Sequence, residues 1–318
     1  MTKQVQELIE RAQRTFVIAH VDPDGDTIAS ALALAHALRK MGKNCILACD
    51  DPVPEALSFL PGIQEFGTPA ITDEDLIIAV DASDPNRLGS AYESVLCLDR
   101  PTVNIDHHVT NNMFGTVNLV RTEAAATAEI VFDLLRDLEV LLDPLLATYL
   151  LTGIVADTRS FSTSNTTPRI LEVSAELIEA GASLTEINEN YFNKRRLATL
   201  RLWGKVLDQM QLDGDLVWSV NTLDMQNECR ADSDNGDGIV NLLATIREAA
   251  AAIVFKESKD GQVDISIRSR PGVDISPIAI HFGGGGHPQA AGSILQGSLD
   301  QVIPKVLSKA KQVLNSNR

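Results

Sequence analysis

Asp106, His107 and His108 close the apolar run 101–105, and an earlier run, 15–19, ends at His20 with Asp24 and Asp26 close behind. A third run, Leu76–Val80, stops at Asp81, and Thr152-Gly-Ile-Val-Ala156 delivers Asp157. Imidazoles and carboxylates are thus placed repeatedly at the ends of hydrophobic segments. In an open α/β sheet those ends share one crevice. Carboxylates gathered there repel one another unless cations lie among them. Neutral imidazoles mixed with carboxylates suit Mn2+ or a similar first-row ion better than all-oxygen Mg2+ or Ca2+. Two such ions, roughly 3.5–4 Å apart, can activate water and clamp a phosphate. The chemistry implied is metal-dependent hydrolysis of a phosphate ester.

Each group alone has a plainer explanation. Asp26 or Thr27 could cap a helix, His20 could be an ordinary buried histidine, and Asp84-Pro-Asn86 is good turn chemistry. Asp157 could be a helix-terminal acid. The combination carries the inference. Asp81 at the end of a buried strand is placed to bridge two cations, with residues 84–86 as the turn and Arg87 as an orienting partner. Asp106 is suited to hydrogen-bond a histidine and fix its tautomer. The chain contains no Gly-x-x-x-x-Gly-Lys-Ser/Thr phosphate loop and no Gly-x-Ser-x-Gly nucleophile elbow.

The other signal is the glycine run 283–286 followed by His287. Gly284, Gly285 and Gly286 allow backbone amides to close on a phosphate or base; a flexible hinge is the plainer reading. Arg268, Ser269 and Arg270 offer guanidinium and hydroxyl groups for phosphate. Arg268 and Arg270 share one face if their strand runs that far.

The elements that must hold these groups alternate in the first half. Strands are expected at 15–20, 44–49, 76–80, 95–98 and 102–105, and a helix at 26–41 stopped by Gly42. The strand runs are almost wholly apolar, as in parallel strands covered on both faces. Helices follow at 123–138, 144–156, 168–180 and 184–192, and 195–210 reads as a connecting helix. Beyond it, strands at 215–220, 251–256 and 262–268 mix with helices at 237–248 and 299–314. The expected fold is α/β: a mainly parallel-sheet domain over 1–190, a helical linker over 191–211 and a smaller mixed α/β domain over 212–318.

Composition bounds the partners. The 318 residues suffice for two cores, and 44% apolar with 22% charged residues marks a globular chain. A balance of 27 basic against 43 acidic residues, net −16, argues against gripping long nucleic acid, which needs a basic track. Short oligonucleotides need only a few local cations. The apolar runs fall short of the roughly 20 residues that cross a bilayer, and the N-terminus lacks a signal-peptide pattern, so a cytoplasmic location is expected. Cys45 and Cys49, four residues apart on one strand with no third ligand nearby, read as buried thiols.

The motifs match a known family. His20-x-x-x-Asp24-x-Asp26, Asp81-x-Ser-x-x-Arg-Leu-Gly89, Asp106-His-His108 and Gly153-Ile-Val-Ala-Asp157 resemble the four motifs of the DHH phosphoesterases. Phe282-Gly-Gly-Gly-Gly-His-Pro-Gln-Ala-Ala-Gly292 is similar to the signature of the DHH-associated C-terminal domain, which 237–241 and 267–269 also fit. The resemblance covers essentially the whole chain; one departure is Ala29, where many relatives carry Gly. It implies one Mn2+ on His20, Asp24 and Asp81 and a second on Asp26, Asp81, His107 and Asp157, with other divalent metals admitted. It implies His108 at the scissile phosphate, and Arg268, His287 and the neighbouring glycines on the substrate.

Within the family the two-domain plan resembles the nanoRNase/pAp phosphatases. These degrade very short RNA from an end and remove the 3′-phosphate of adenosine 3′,5′-bisphosphate (pAp). The partners implied are short RNA or DNA oligonucleotides, dinucleotides or pAp, with no membrane and with a homodimer as a candidate assembly. Alternatives within the family are a pApA phosphodiesterase, a single-strand exonuclease and a pyrophosphatase; outside catalysis, a nucleotide sensor.

Overall fold

In the computed structural model, which describes residues 2–90, 100–231 and 238–316, the chain divides into two units, Met1–Lys194 and Arg195–Arg318. The first carries helix α1 (Thr2–Arg11) and a parallel sheet of β1 (Arg14–Ala19), β2 (Asn44–Ala48), β3 (Leu76–Val80), β4 (Thr102–Asp106) and β5 (Val117–Val120). The strand order is β2-β1-β3-β4-β5. The expected strand at 95–98 lies outside the described residues.

The apolar runs have a direct cause. Successive side chains on a strand face opposite ways, and β3 and β4 are buried at every position. Val17 and Ala19 enter the large core with helices α2 (Gly25–Lys40), α3 (Thr127–Asp137), α4 (Pro144–Asp157) and α5 (Pro168–Glu179). Phe16, Ile18, Ile77 and Ala79 face a smaller core on the other side. Helix α6 (Leu184–Asn188) runs into a π-helical turn, Glu189–Asn193.

This strand order places the site. The sheet grows from β1 toward β2 on one side and from β1 toward β3 and β4 on the other. Crossovers therefore leave in opposite directions, and a crevice opens at the carboxyl ends of β1 and β3. His20 follows β1 and Asp81 follows β3.

The second unit holds a mixed sheet in the order β10-β11-β9-β8-β7-β6. Its elements are α7 (Leu197–Asp208), β6 (Gln211–Asp213), β7 (Leu216–Asn221), α8 (Leu223–Cys229), α9 (Ile239–Leu243), β8 (Ala251–Glu257), β9 (Gln262–Ser269), α10 (Ser276–His281), β10 (Gly285–His287), β11 (Ala290–Gln296) and α11 (Leu299–Ser316). Only β7 and β8 pair in parallel. The helix expected as a connector, α7, packs within this unit: Leu202 and Val206 are buried with Val217, Ile239, Leu243 and Val254. The expected helix at 237–248 shortens to Ile239–Leu243, and Asp237 lies outside the described residues. No helix among the described residues is long and apolar enough to cross a membrane.

Candidate metal centre

Three groupings of side chains converge at the crevice, each with ligand atoms within 4.8 Å of one another: His20, Asp24 and Asp81; Asp26, His107 and Asp157; Asp81, His107 and His108. Asp81 belongs to the first and third of these and His107 to the second and third. The Asp81 carboxylate lies 3.6 Å from His20 Nε2, 3.7 Å from His107 Nε2 and 3.6 Å from His108 Nδ1. His107 Nε2 lies 3.1 Å from Asp157 Oδ2, and His20 Nε2 is 3.9 Å from Asp24 Oδ1.

The backbone presents the imidazoles correctly. His20 Nδ1 donates to the Val21 carbonyl (2.8 Å) and His107 Nδ1 to the Ala124 carbonyl (3.3 Å). In that tautomer both Nε2 lone pairs face the carboxylates, as metal-ligating imidazoles do. Arg87 Nη2 lies 3.1 Å from His20 Nδ1, so the arginine read as orienting does touch this ring. Asp84 is the turn residue: its side chain accepts from the Asn86 amide. Asp106 partners His108, its Oδ1 accepting from Nδ1 at 2.7 Å while Oδ2 accepts from Asn111.

Two caps are exchanged relative to the plainer reading of the sequence. Asp24 caps α2, accepting from the amides of Asp26 and Thr27. Asp26 instead serves α3, across 101 positions of chain: its two oxygens accept from Thr127 N (2.6 Å) and Ala128 N (3.0 Å). That remote cap explains why the helix expected from 123 begins at Thr127. The Thr127 hydroxyl in turn donates to Asp81 Oδ1 at 2.8 Å. Asp81 itself has φ +60°, a left-handed conformation that Asp tolerates better than most residues.

The electrostatics call for cations. Burial, then the charges of Asp81 and Asp157, push the Asp26 pKa well above the usual carboxylate range. Burial likewise raises Asp157, against the opposing pull of His107. Burial disfavours charge on Asp81 too, but the His20 hydrogen bond and the His107 and His108 charges outweigh it and hold its pKa low. Burial opposes protonation of His20, yet Asp81 and Asp24 lift its pKa to about 9. Without metal the imidazoles thus act as the cluster's cations. Lone pairs oriented by backbone carbonyls, facing carboxylates whose charges conflict, fit divalent ions.

Tyr191, from the π-helical turn, accepts a hydrogen bond from the Gly25 amide at 3.2 Å. Sequence reading missed Tyr191, Asn111 and Thr127, since a lone Tyr, Asn or Thr at those spacings carries no signal. Gly153, part of the fourth motif, has a packing role that the sequence did not show. A Cβ there would lie 2.6 Å from Asp26 Oδ1 and 2.7 Å from Ala128 Cβ, so only glycine lets α4 approach so closely. Gly153→Ala is expected to destabilise the protein by about 1–3 kcal/mol, the usual cost of overpacking, and to weaken metal binding by displacing Asp26. Thermal unfolding and a metal titration check this; unchanged affinity would mean that Asp26 does not bear on the ions.

In the second unit, β9, β11 and β10 bring Arg268, Ala290 and His287 into one cross-strand row. Arg268 Nε donates to Asn241 Oδ1 at 3.1 Å, and the Ser269 hydroxyl donates to the Val273 carbonyl. Arg270 lies just past the end of β9 at Ser269, and its amide donates to the Ala250 carbonyl. Gly285 and Gly286 lie in β10, and Gly284 packs against the Gly292 carbonyl where no side chain fits. The glycine run is therefore a hairpin edge rather than a hinge. Burial raises the Cys45 and Cys49 thiols to about 11, which agrees with inert buried thiols.

Imidazoles and carboxylates converging at a parallel-sheet switch point define a metal-dependent hydrolase of phosphate esters. Residues 14–154 match the model of the DHH family, N-terminal domain, and residues 225–316 that of the DHHA1 domain. The chain is 36% identical to the bifunctional oligoribonuclease and PAP phosphatase NrnA of Thermus thermophilus, over 98% of this chain and 93% of that protein. It is 26% identical to the cyclic-di-AMP phosphodiesterase PdeA of Listeria monocytogenes, over 93% of this chain and 47% of that longer protein. An exopolyphosphatase-related protein from Bacteroides fragilis shares the fold, with a TM-score of 0.91 at 24% identity over 99% of this chain and 96% of that one. The chain belongs to the DHH family of metal-dependent phosphoesterases.

Proposed function

We propose that this protein hydrolyses short oligoribonucleotides to mononucleotides and removes the 3′-phosphate of pAp, using two Mn2+ ions. The ions are assigned to His20, Asp24 and Asp81 and to Asp26, Asp81, His107 and Asp157, with Asp81 between them. The observation that carries this is that Asp81 belongs to two of the three groupings and lies 3.7 Å from His107, which belongs to the third. Similarity to the Thermus protein along nearly the whole length supports the substrate class. When bound, such ions neutralise phosphate oxygens and lower the pKa of a coordinated water toward roughly 7.

The side chains have separate tasks. Burial works against charge on His108, but its bond to Asp106 raises its pKa, which favours a cationic ring at neutral pH. That ring is suited to contact the scissile phosphate and stabilise the charge that develops there. Asp106 and Asn111 hold it in place. In the second unit, Arg268, Ser269, Arg270, Gly284, Gly285, Gly286 and His287 are assigned to substrate binding. The net charge of −16 favours short substrates over long strands. On this reading a homodimer is the candidate assembly and the cytoplasm the place of action. A second reading, hydrolysis of pApA and related linear dinucleotides, is favoured by the similarity to the Listeria protein.

Protein loaded with Mn2+ should be given two- to five-residue RNA, pApA, pAp and pyrophosphate in parallel. Turnover of the short RNAs and pAp is expected. Turnover of pyrophosphate alone would overturn the nucleotide reading, and binding of any substrate without turnover would make the protein a sensor.

A further inference from the structure

Helix α4 ends at Asp157 in an uncommon way. Arg159, Ser160 and Phe161 all adopt left-handed backbone, with φ of 47°, 56° and 64°. Three successive residues of this kind are disfavoured by contact between Cβ and the backbone, most of all for bulky side chains. The turn is held by surrounding bonds. The Thr158 hydroxyl donates to the Ile154 carbonyl and accepts from the Phe161 amide, the Ser160 amide donates to the Val155 carbonyl, and the Ser162 amide to that of Thr158. Phe161 packs back against the core. Downstream, Asn165 donates to the Ala125 carbonyl, in the segment that also receives His107 through Ala124. The reversal is thus tied to the loop that positions the metal centre, and Arg159 is left exposed at its apex.

Arg159, like Arg11, stands apart from most arginines of this unit. Arg39, Arg121, Arg136 and Arg169 each pair with a carboxylate. Among the described residues the Arg159 side chain has no hydrogen-bond or ion-pair partner. Its Cα lies within about 7 Å of that of Asp157, since only Thr158 separates them. Strain retained at a catalytic rim, in a residue that Gly would relieve, points from geometry to function.

We infer that Arg159 binds a second, non-scissile phosphate of the substrate, the one beside the phosphate held at the metal centre. This rests on the nucleotide reading above. A guanidinium with no internal partner offers a bidentate fork to a phosphate, and such a group discriminates a 5′-phosphorylated dinucleotide from its 5′-hydroxyl counterpart.

The test compares Arg159→Gly and Arg159→Lys with the parent protein on diadenylate with and without a 5′-phosphate, in Mn2+. Glycine accepts the left-handed turn, so Arg159→Gly should unfold at the same or a higher temperature. Its KM for the 5′-phosphorylated substrate should rise about ten- to hundredfold, as for a lost hydrogen bond to a charged group. KM for the 5′-hydroxyl substrate and kcat for both should stay near parental values, and Arg159→Lys should recover part of the loss. Equal effects on both substrates, or none on either, overturn the assignment. If the parent turns over neither dinucleotide, the nucleotide reading itself fails and this inference with it.

Discussion

Asp81→Asn is expected to lower kcat by about 10³-fold or more while leaving the protein folded. Among the described residues Asp81 is the one carboxylate within 4 Å of all three imidazoles, and a metal ion supplies several kcal/mol to the transition state, each 1.36 kcal/mol being tenfold in rate. The substitution isolates the charge. Asn has the same shape, can still accept from the Thr127 hydroxyl, and tolerates the left-handed φ of +60° that this position imposes. It also removes one negative charge from beside Asp26 and Asp157, both already pushed toward protonation by burial. The same change takes away the anion that pairs with the three imidazoles, so the metal-free protein should melt at a somewhat lower temperature while still folding. Circular dichroism and steady-state rates with Mn2+ measure the two sides; near-parental turnover would refute the shared-carboxylate site.

The second large effect couples metal to protons. In the metal-free protein the His20 pKa stands at about 9 against an ordinary 6.5, and His107 and His108 are raised as well. Burial opposes each rise, and the neighbouring carboxylates overcome it. An imidazole must be neutral to ligate a metal, so binding near pH 7 releases protons. With one proton released, affinity gains about tenfold per pH unit, or roughly 100-fold between pH 6 and 8. Calorimetry in two buffers of different ionisation enthalpy would count the protons. Equal affinity at pH 6 and 8 would show that His20 is not a ligand.

Stability carries the same linkage. A histidine whose pKa is raised by folding contributes stability that is complete below about 6.5 and lost as pH climbs through about 9. Metal-stripped protein should therefore lose stability across that window, and metal-loaded protein should not. Melting temperatures from pH 6 to 9, with and without chelator, provide the comparison.

Much of the centre was legible from position alone. His20, Asp81 and Asp106-His107-His108 follow apolar runs that could only be buried strands, and parallel strands deliver their carboxyl ends to one crevice. Asp106 as the partner of a histidine also follows from adjacency, whereas the ring that Arg87 meets, His20, lies 67 positions away and was not legible. The hairpin β10–β11 was not visible, because Gly284–Gly286 lack the β-branched alternation that marks a strand. Nor was the end of β9, which falls at Ser269, one residue before Arg270.

The sequence by itself determined the kinds of candidate ligand, their strand-end placement, the α/β class and the net charge of −16. Those properties reside in residue type, local hydrophobic period and net charge, which need no partner distant in the chain. Tertiary structure alone decided that Asp26 caps α3 rather than its own helix, that Thr127 braces Asp81, and that Gly153 admits α4. It also decided that Arg159 stands unpaired on a left-handed turn. The first three depend on contacts between residues 25 to 127 positions apart, where no short-range pattern reports which group meets which.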